Sequence, residues 1–191
     1  MSLRWFLGIA GLAVMSSAFA GDVTGHVVMS GGRDAAQAVV YLEGAVRSKP
    51  MAKQMIDQRN REFIPRISVV TIGTTVDFPN NDTVFHNVFA EYQAKRFDLG
   101  MYPRGAKKRQ IFEKPGLVAM MCSVHSEMSA YMMVVDTPYF AVADRTGRFT
   151  IKGVAPGTYT LRVWHESGQI ESRPLVVNDQ VVSLEVRTNR K

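Results

Sequence analysis

Gly116-Leu-Val-Ala-Met-Met-Cys122-Ser-Val-His125-Ser-Glu-Met128-Ser-Ala-Tyr131-Met-Met-Val-Val135 reads as strand, loop, strand. Two short apolar runs, Gly116–Cys122 and Ala130–Val135, are too brief for helices and flank a polar loop. That loop carries a thiol, an imidazole and a thioether in the spacing Cys122-x-x-His125-x-x-Met128. His86 lies upstream, at the start of another predicted strand, His86–Ala90. A thiolate and two imidazoles in one plane suit both oxidation states of copper, and a weak axial thioether completes such a site. Zinc would accept the same Cys and His residues, but a methionine is a poor zinc ligand. Met120, Met121, Met132 and Met133 flank the loop and read as packing residues.

Outward from this segment the pattern stays β. Short alternating or β-branched runs recur, bounded by Gly, Pro, Asn and Asp, as in a sandwich or barrel. Predicted strands are 23–29, 38–42, 67–71, 75–78, 86–90, 108–112, 116–122, 130–135, 140–143, 148–151, 158–164, 171–177 and 181–187. Asp144-Arg-Thr-Gly147 and Ala155-Pro-Gly157 are turn signals between neighbouring strands. The polar stretch Lys49–Glu62 is expected to form a short helix or a loop.

Two resemblances divide the chain. Gly147-Arg-Phe-Thr-Ile151 and Pro156-Gly-Thr-Tyr-Thr-Leu161 resemble the carboxypeptidase regulatory-like, or transthyretin-like, β-sandwich. The opening strands of that family, of the Ala-Val-Val-Tyr-Leu type, stand at the other end of the chain, within Val23–Leu42. The sandwich is therefore expected to be split between residues 21–48 and 137–191, with 49–136 as an inserted domain. Two domains in series is the alternative. Residues 49–136 resemble the cupredoxins: Gly73-Thr-Thr-Val-Asp-Phe-Pro-Asn-Asn-Asp82, His86-Asn-Val88, Arg96-Phe-Asp-Leu-Gly100, Phe112-Glu-Lys-Pro-Gly116 and the Cys122 loop follow that family's order. The fold implied is all-β, a cupredoxin Greek-key sandwich plus a second small Ig- or transthyretin-like sandwich.

The cupredoxin resemblance implies one type 1 copper per chain, held by His86, Cys122, His125 and, axially, Met128. It implies that Asn87 and Ser123 hydrogen-bond each other behind the ligands, and that the Asn87 N–H donates to the Cys122 sulfur. It also implies that electrons pass through His125 and that a redox protein docks near it. Val124 departs from the family, which often has proline there, and so keeps an N–H for a second bond to sulfur. Met120 departs too, where the family often has an aromatic residue. Glu127 adds a carboxylate beside His125. His26 and His165 read as surface or core histidines; Trp164-His165-Glu166 resembles what similar regulatory-like domains carry, with no chemistry attached.

Composition sets the outer limits. The chain has 191 residues, 46% of them hydrophobic and 21% charged, which is ordinary globular usage. Arg4, the apolar run Trp5–Met15 and Ala18-Phe-Ala20 have the layout of a secretory signal peptide over residues 1–20. The run is well short of the ~20 residues that span a bilayer, so no membrane span is expected. The mature protein is expected in the periplasm or secreted. The net charge of +6 is mild, and its local cluster, Arg104, Lys107, Lys108, Arg109 and Lys114, suits a solvated basic face, or a docking patch for an acidic partner, better than nucleic acid. The single cysteine excludes an intramolecular disulfide, and in an exported protein it is expected to be buried and inert, paired with another chain, or bound to a metal. No Gly-x-Ser-x-Gly is present, and four protein ligands leave no open position for a substrate, so an electron carrier is expected rather than an enzyme. A copper carrier or chaperone, and a non-redox binding module, are the alternatives.

Overall fold

The computed structural model describes residues 20–29, 31–32, 35–92, 94–167, 170–178 and 181–188. The expected signal peptide lies outside them, apart from Ala20. The described residues form seventeen strands and no helix, as the periodicity predicts.

Strand β1 (Gly21–Met29) and β2 (Val39–Glu43) open the chain. The middle follows as β3 (Gln54–Met55), β4 (Asp57–Arg59), β5 (Glu62–Ile64), β6 (Ile67–Thr71), β7 (Thr74–Pro79), β8 (Phe89–Tyr92), β9 (Lys95–Asp98), β10 (Lys107–Phe112), β11 (Gly116–Met121) and β12 (Ser129–Val135). The chain continues through β13 (Phe140–Val142), β14 (Arg148–Val154), β15 (Gly157–Trp164), β16 (Ile170–Val177) and β17 (Val182–Thr188). A three-stranded sheet β10-β7-β3 and a five-stranded sheet β6-β12-β11-β8-β9 share one core, which includes Phe78, Phe112, Val118, Met120 and Met132. The sheets β14-β1-β17 and β13-β2-β15-β16 share another, built on Val27, Leu42, Ile151, Leu161 and Val186. Among the described residues, β1 pairs with β14 and β17, and β2 with β13 and β15.

Strand β12 joins the two layers of packing. Alternate side chains of a strand point to opposite faces. Ala130, Met132 and Val134 enter the first core, while Met133 and Val135 enter a third apolar cluster. That cluster also holds Val39, Ile67, Val69 and Trp164, with Tyr41, Leu117, Tyr131 and Phe140 packed at its margin. The outer faces of β6 and β12 thus lie against β2, β13 and β15. Strands buried on both faces read as unbroken apolar runs, and Ala130–Val135 is one.

Glycine is required at one turn. Asp144 Oδ1 accepts from the Thr146 N–H at 2.8 Å, its hydroxyl at 2.7 Å and the Arg148 N–H at 3.0 Å. The turn brings Gly147 to φ +73°, where a Cβ would stand 2.5 Å from the Val27 carbonyl oxygen. No other residue fits there without displacing β1.

Three local expectations change. Lys49–Glu62 holds β3, β4 and the start of β5, not a helix. Tertiary pairing overrides its polar composition: β3 runs parallel to β7, the Ile56 N–H reaches the Asp77 carbonyl at 2.9 Å, and Ile56 and Gln58 are buried. His86 does not open a strand; it forms an isolated bridge with Tyr102, and β8 begins at Phe89. Lys95–Asp98, which was not expected as a strand, pairs with β8.

Candidate metal centre

The predicted ligands come from two places. β11 delivers Cys122 on the same inward face as Val118 and Met120, and the chain then crosses to β12 in a tight loop. The loop is closed by backbone bonds: Cys122 N–H to the Met128 carbonyl at 3.2 Å, and Met128 N–H to the His125 carbonyl at 3.0 Å. His86 is held by its paired backbone bonds with Tyr102, at 3.3 and 2.9 Å. Its side chain is fully buried, as nearly are Cys122 and Met128, while His125 stays partly exposed.

The structure brings His86, Cys122 and His125 together. Cys122 Sγ lies 3.8 Å from Nδ1 of each histidine, and the two Nδ1 atoms are 3.1 Å apart. The centre of such a triangle is about 2 Å from every corner, the length of a metal–nitrogen or metal–thiolate bond. Met128 is buried in the same apolar cluster as Cys122. Two imidazoles and a thiol converging from buried and half-buried positions are donors that fit copper.

Behind the predicted ligands stands a residue the sequence reading missed. Asp82 Oδ2 accepts from His86 Nε2 at 2.9 Å, and both groups are buried. A carboxylate accepts only, so Nε2 carries the proton and Nδ1 presents its lone pair to Cys122 and His125. Burial alone would raise the Asp82 carboxyl. Hydrogen bonds from the Arg61 N–H, His86 and the Thr83 N–H outweigh that and hold it at about 2. Asn80 fixes the turn: its Oδ1 accepts the Asp82 N–H, and its amide donates to the Val84 and Tyr102 carbonyls at 2.9 and 3.0 Å. The signal was present in sequence, because a ligating histidine usually gives its other N–H to a carboxylate or carbonyl nearby.

Asn87 and Ser123 are hydrogen-bonded to each other. Asn87 Oδ1 accepts the Ser123 N–H at 2.7 Å and the hydroxyl at 3.0 Å. Its Nδ2 donates to Asp98 at 3.3 Å, and Asp98 also accepts the Gly100 N–H at 2.8 Å. Asp98 thereby sets which way the Asn87 amide faces.

Further residues lie beside the site or away from it. Phe85, Met101 and Val124, each next in sequence to a residue of the site or its bridge, are exposed at 57%, 47% and 53%. Glu127 is exposed. His26 sits in β1 opposite Arg148 and Glu185, and His165 hydrogen-bonds the Ala36 carbonyl and Ser167. Lys107 and Arg109, with Lys53, close on the buried Asp77 at 3.4, 2.8 and 2.6 Å. Burial opposes ionisation of Asp77, but hydrogen bonds from Arg109, Lys53 and Lys107 outweigh it and hold it well below the usual carboxylate range.

Asp77 therefore makes stability depend on pH. A depressed folded pKa contributes stability above the unfolded value near ~4, and that contribution is lost as pH falls toward the folded value. The three cations are half-exposed, so Asp77→Asn is expected to cost only about 1 kcal/mol at pH 7. Urea unfolding at pH 7 and pH 3 checks this. The gap between variant and parent should narrow at pH 3, and a gap that widens there would refute the assignment.

Comparison with known proteins adds three kinds of result. The model of polysaccharide lyase family 4, domain II, matches residues 115–182, from the end of the first sandwich into the second. No curated protein matches the chain. Among solved structures, a purple cupredoxin from Nitrosopumilus maritimus is 23% identical over 43% of this chain and 99% of its own, with a TM-score of 0.40. A copper-containing nitrite reductase from Thermus scotoductus SA-01 is 23% identical over 49% of this chain and 25% of its own, with a TM-score of 0.43. A mutant amicyanin in its reduced state is 18% identical over 52% of this chain and 99% of its own, with a TM-score of 0.40.

Proposed function

We propose that this chain is an exported type 1 copper protein that carries single electrons between redox partners. The observation that carries the reading is the convergence of His86 Nδ1, His125 Nδ1 and Cys122 Sγ, with the remaining His86 nitrogen claimed by Asp82. His86, Cys122, His125 and, more weakly, Met128 would hold one copper ion. Copper so held would supply one-electron chemistry between its two oxidation states at little geometric cost. The residues do the rest. Cys122 and Met128 exclude water by burial, Asp82 fixes the His86 ring, and Asn87 ties the histidine segment to the Cys122 loop. With all four of these residues as ligands no position would be left for a substrate, which favours carriage over catalysis.

His125, the partly exposed member, is the natural exit for electrons. Phe85, Val124 and Met101 supply an exposed apolar rim on which a redox protein would dock. In the same reading residues 49–136 form the copper domain, inserted into a regulatory-like sandwich made of 21–48 and 137–191. Export to the periplasm or beyond rests on the signal-peptide layout of residues 1–20. No helix among the described residues is long and apolar enough to cross a membrane.

One equivalent of Cu(II) tests the proposal. An intense red-region absorption with a narrow copper hyperfine splitting is expected; a protein that binds copper without colour would refute it. Met128→Leu tests the axial ligand. It should keep the colour and raise the reduction potential by about 60 mV or more, a tenfold shift in the one-electron equilibrium. An unchanged potential would remove Met128 from the ligand set.

A further inference from the structure

Trp164-His165-Glu166, the motif left without chemistry, lies where the second sandwich meets the start of β12. Trp164 packs its ring 5.5 Å from that of Tyr131. The His165 Nε2–H donates to the Ala36 carbonyl at 3.1 Å while Nδ1 accepts the Ser167 N–H at 3.2 Å, which fixes the turn after β15. Glu166, held between them, takes two bonds from Arg66: Nε at 3.1 Å and Nη2 at 2.9 Å, both to Oε2. The third guanidinium nitrogen, Nη1, donates to the Ser129 carbonyl and to its hydroxyl, each at 3.1 Å. Arg66 also lies over the Tyr131 ring at 5.8 Å, and its own carbonyl accepts the Tyr131 N–H at 2.8 Å.

Ser129 directly follows Met128. Met128 in turn is tied to Cys122 and His125 through its backbone. Arg66 and Met128 line one cleft of about 400 Å³ together with Arg61, Phe63, Glu127 and Ser129. A guanidinium whose three nitrogens are all engaged is a rigid spacer, because its fork is planar and pre-organised.

We propose that Arg66 is a positioning residue for the ligand loop, fastening Ser129, and through it Met128, to Glu166 of the second sandwich. The inference rests on the copper reading for its consequence, since Met128 would be one of the residues that hold the ion. It gives the second sandwich a task at the site: its Trp164-His165-Glu166 corner holds the far end of the loop, as Asn87 holds the near end.

The test uses the full chain with Arg66→Ala, Arg66→Lys and Glu166→Gln. In metal-free protein, Arg66→Ala should speed amide exchange at Met128 and Cys122 several-fold while leaving the β7–β10 amides unchanged. In the copper-loaded protein, it should shift the ratio of the two visible bands and the rhombicity of the EPR signal. Glu166→Gln should shift them less in the same direction, and Arg66→Lys, which cannot fork between Ser129 and Glu166, should fall between. Parental exchange at Met128 and Cys122, or equal acceleration of every amide, overturns the clamp. A parent that shows no copper–thiolate band overturns the copper reading instead, and the exchange result still decides the clamp.

Discussion

Cys122→Ser is expected to lose the intense visible absorption of the copper-loaded protein completely and to keep its fold. Thiolate-to-copper charge transfer needs sulfur, and Cys122 is the only cysteine in the chain. Serine is close to the same shape, and the position is only 4% exposed, so the surrounding Val118, Met120 and Met128 need not move. The hydroxyl would face two imidazole nitrogens, which leaves it a hydrogen-bond partner rather than an orphaned polar group. Copper affinity should fall by more than the 10–100-fold that losing a partner behind a metal ligand costs, because a ligand itself is gone. Absorption and EPR spectra with one equivalent of Cu(II), alongside circular dichroism of both proteins, make the comparison. A serine variant that kept the band would show that the colour arises elsewhere.

The contrast between what the sequence reveals and what it hides follows the range of the interaction. The approach of Cys122 to His125 is legible because one loop carries both at fixed spacing, and a strand on each side fixes the loop's direction. The two-sided burial of β12 is legible as well, since Tyr131, Met132, Met133, Val134 and Val135 interrupt the usual polar alternation. Asp98 is not, because its partner Asn87 lies eleven residues upstream, before β8 begins, and the two residue types are common at turns. Lys49–Glu62 misleads for the same reason. Its hydrogen-bond partners are the edge of β7 and the hydroxyls of Thr71 and Thr74, which bind the Met51 N–H at 2.9 Å each. No local pattern contains that information.

The junction between the sandwiches shows a middle case. Ile67, Val69 and Trp164 read as apolar strand residues, but the sequence is silent about what covers them. The answer is each other: the third cluster exists only where β6 and β12 meet β2, β13 and β15. Arg66 and Glu166, one hundred residues apart, close its rim. A half-exposed pair of this kind adds little to stability by itself. Its geometry matters more, because it ends on Ser129.

Asp82→Ala is expected to weaken copper binding about 10–100-fold while the protein stays coloured, the cost usual for losing a carboxylate behind a ligating histidine. The carboxylate does two things. Oδ2 accepts from His86 Nε2 and from the Arg61 N–H, and Oδ1 accepts the N–H and hydroxyl of Thr83. Removing it frees the His86 proton to sit on Nδ1, the atom that must stay bare to bind metal. Asp82→Asn should do less harm. Its carbonyl can still accept from His86 and Arg61, while its NH2 then faces the Thr83 N–H, a donor against a donor. Affinity should therefore fall in the order parent, Asn, Ala. Competition with a Cu(I) chelator measures the affinities, and nitrogen-15 NMR of the metal-free protein reads the His86 tautomer. Parental affinity in both variants would leave Asp82 as a turn residue only. Loss of colour with loss of affinity would mean that the turn collapses and takes the His86 side of the site with it.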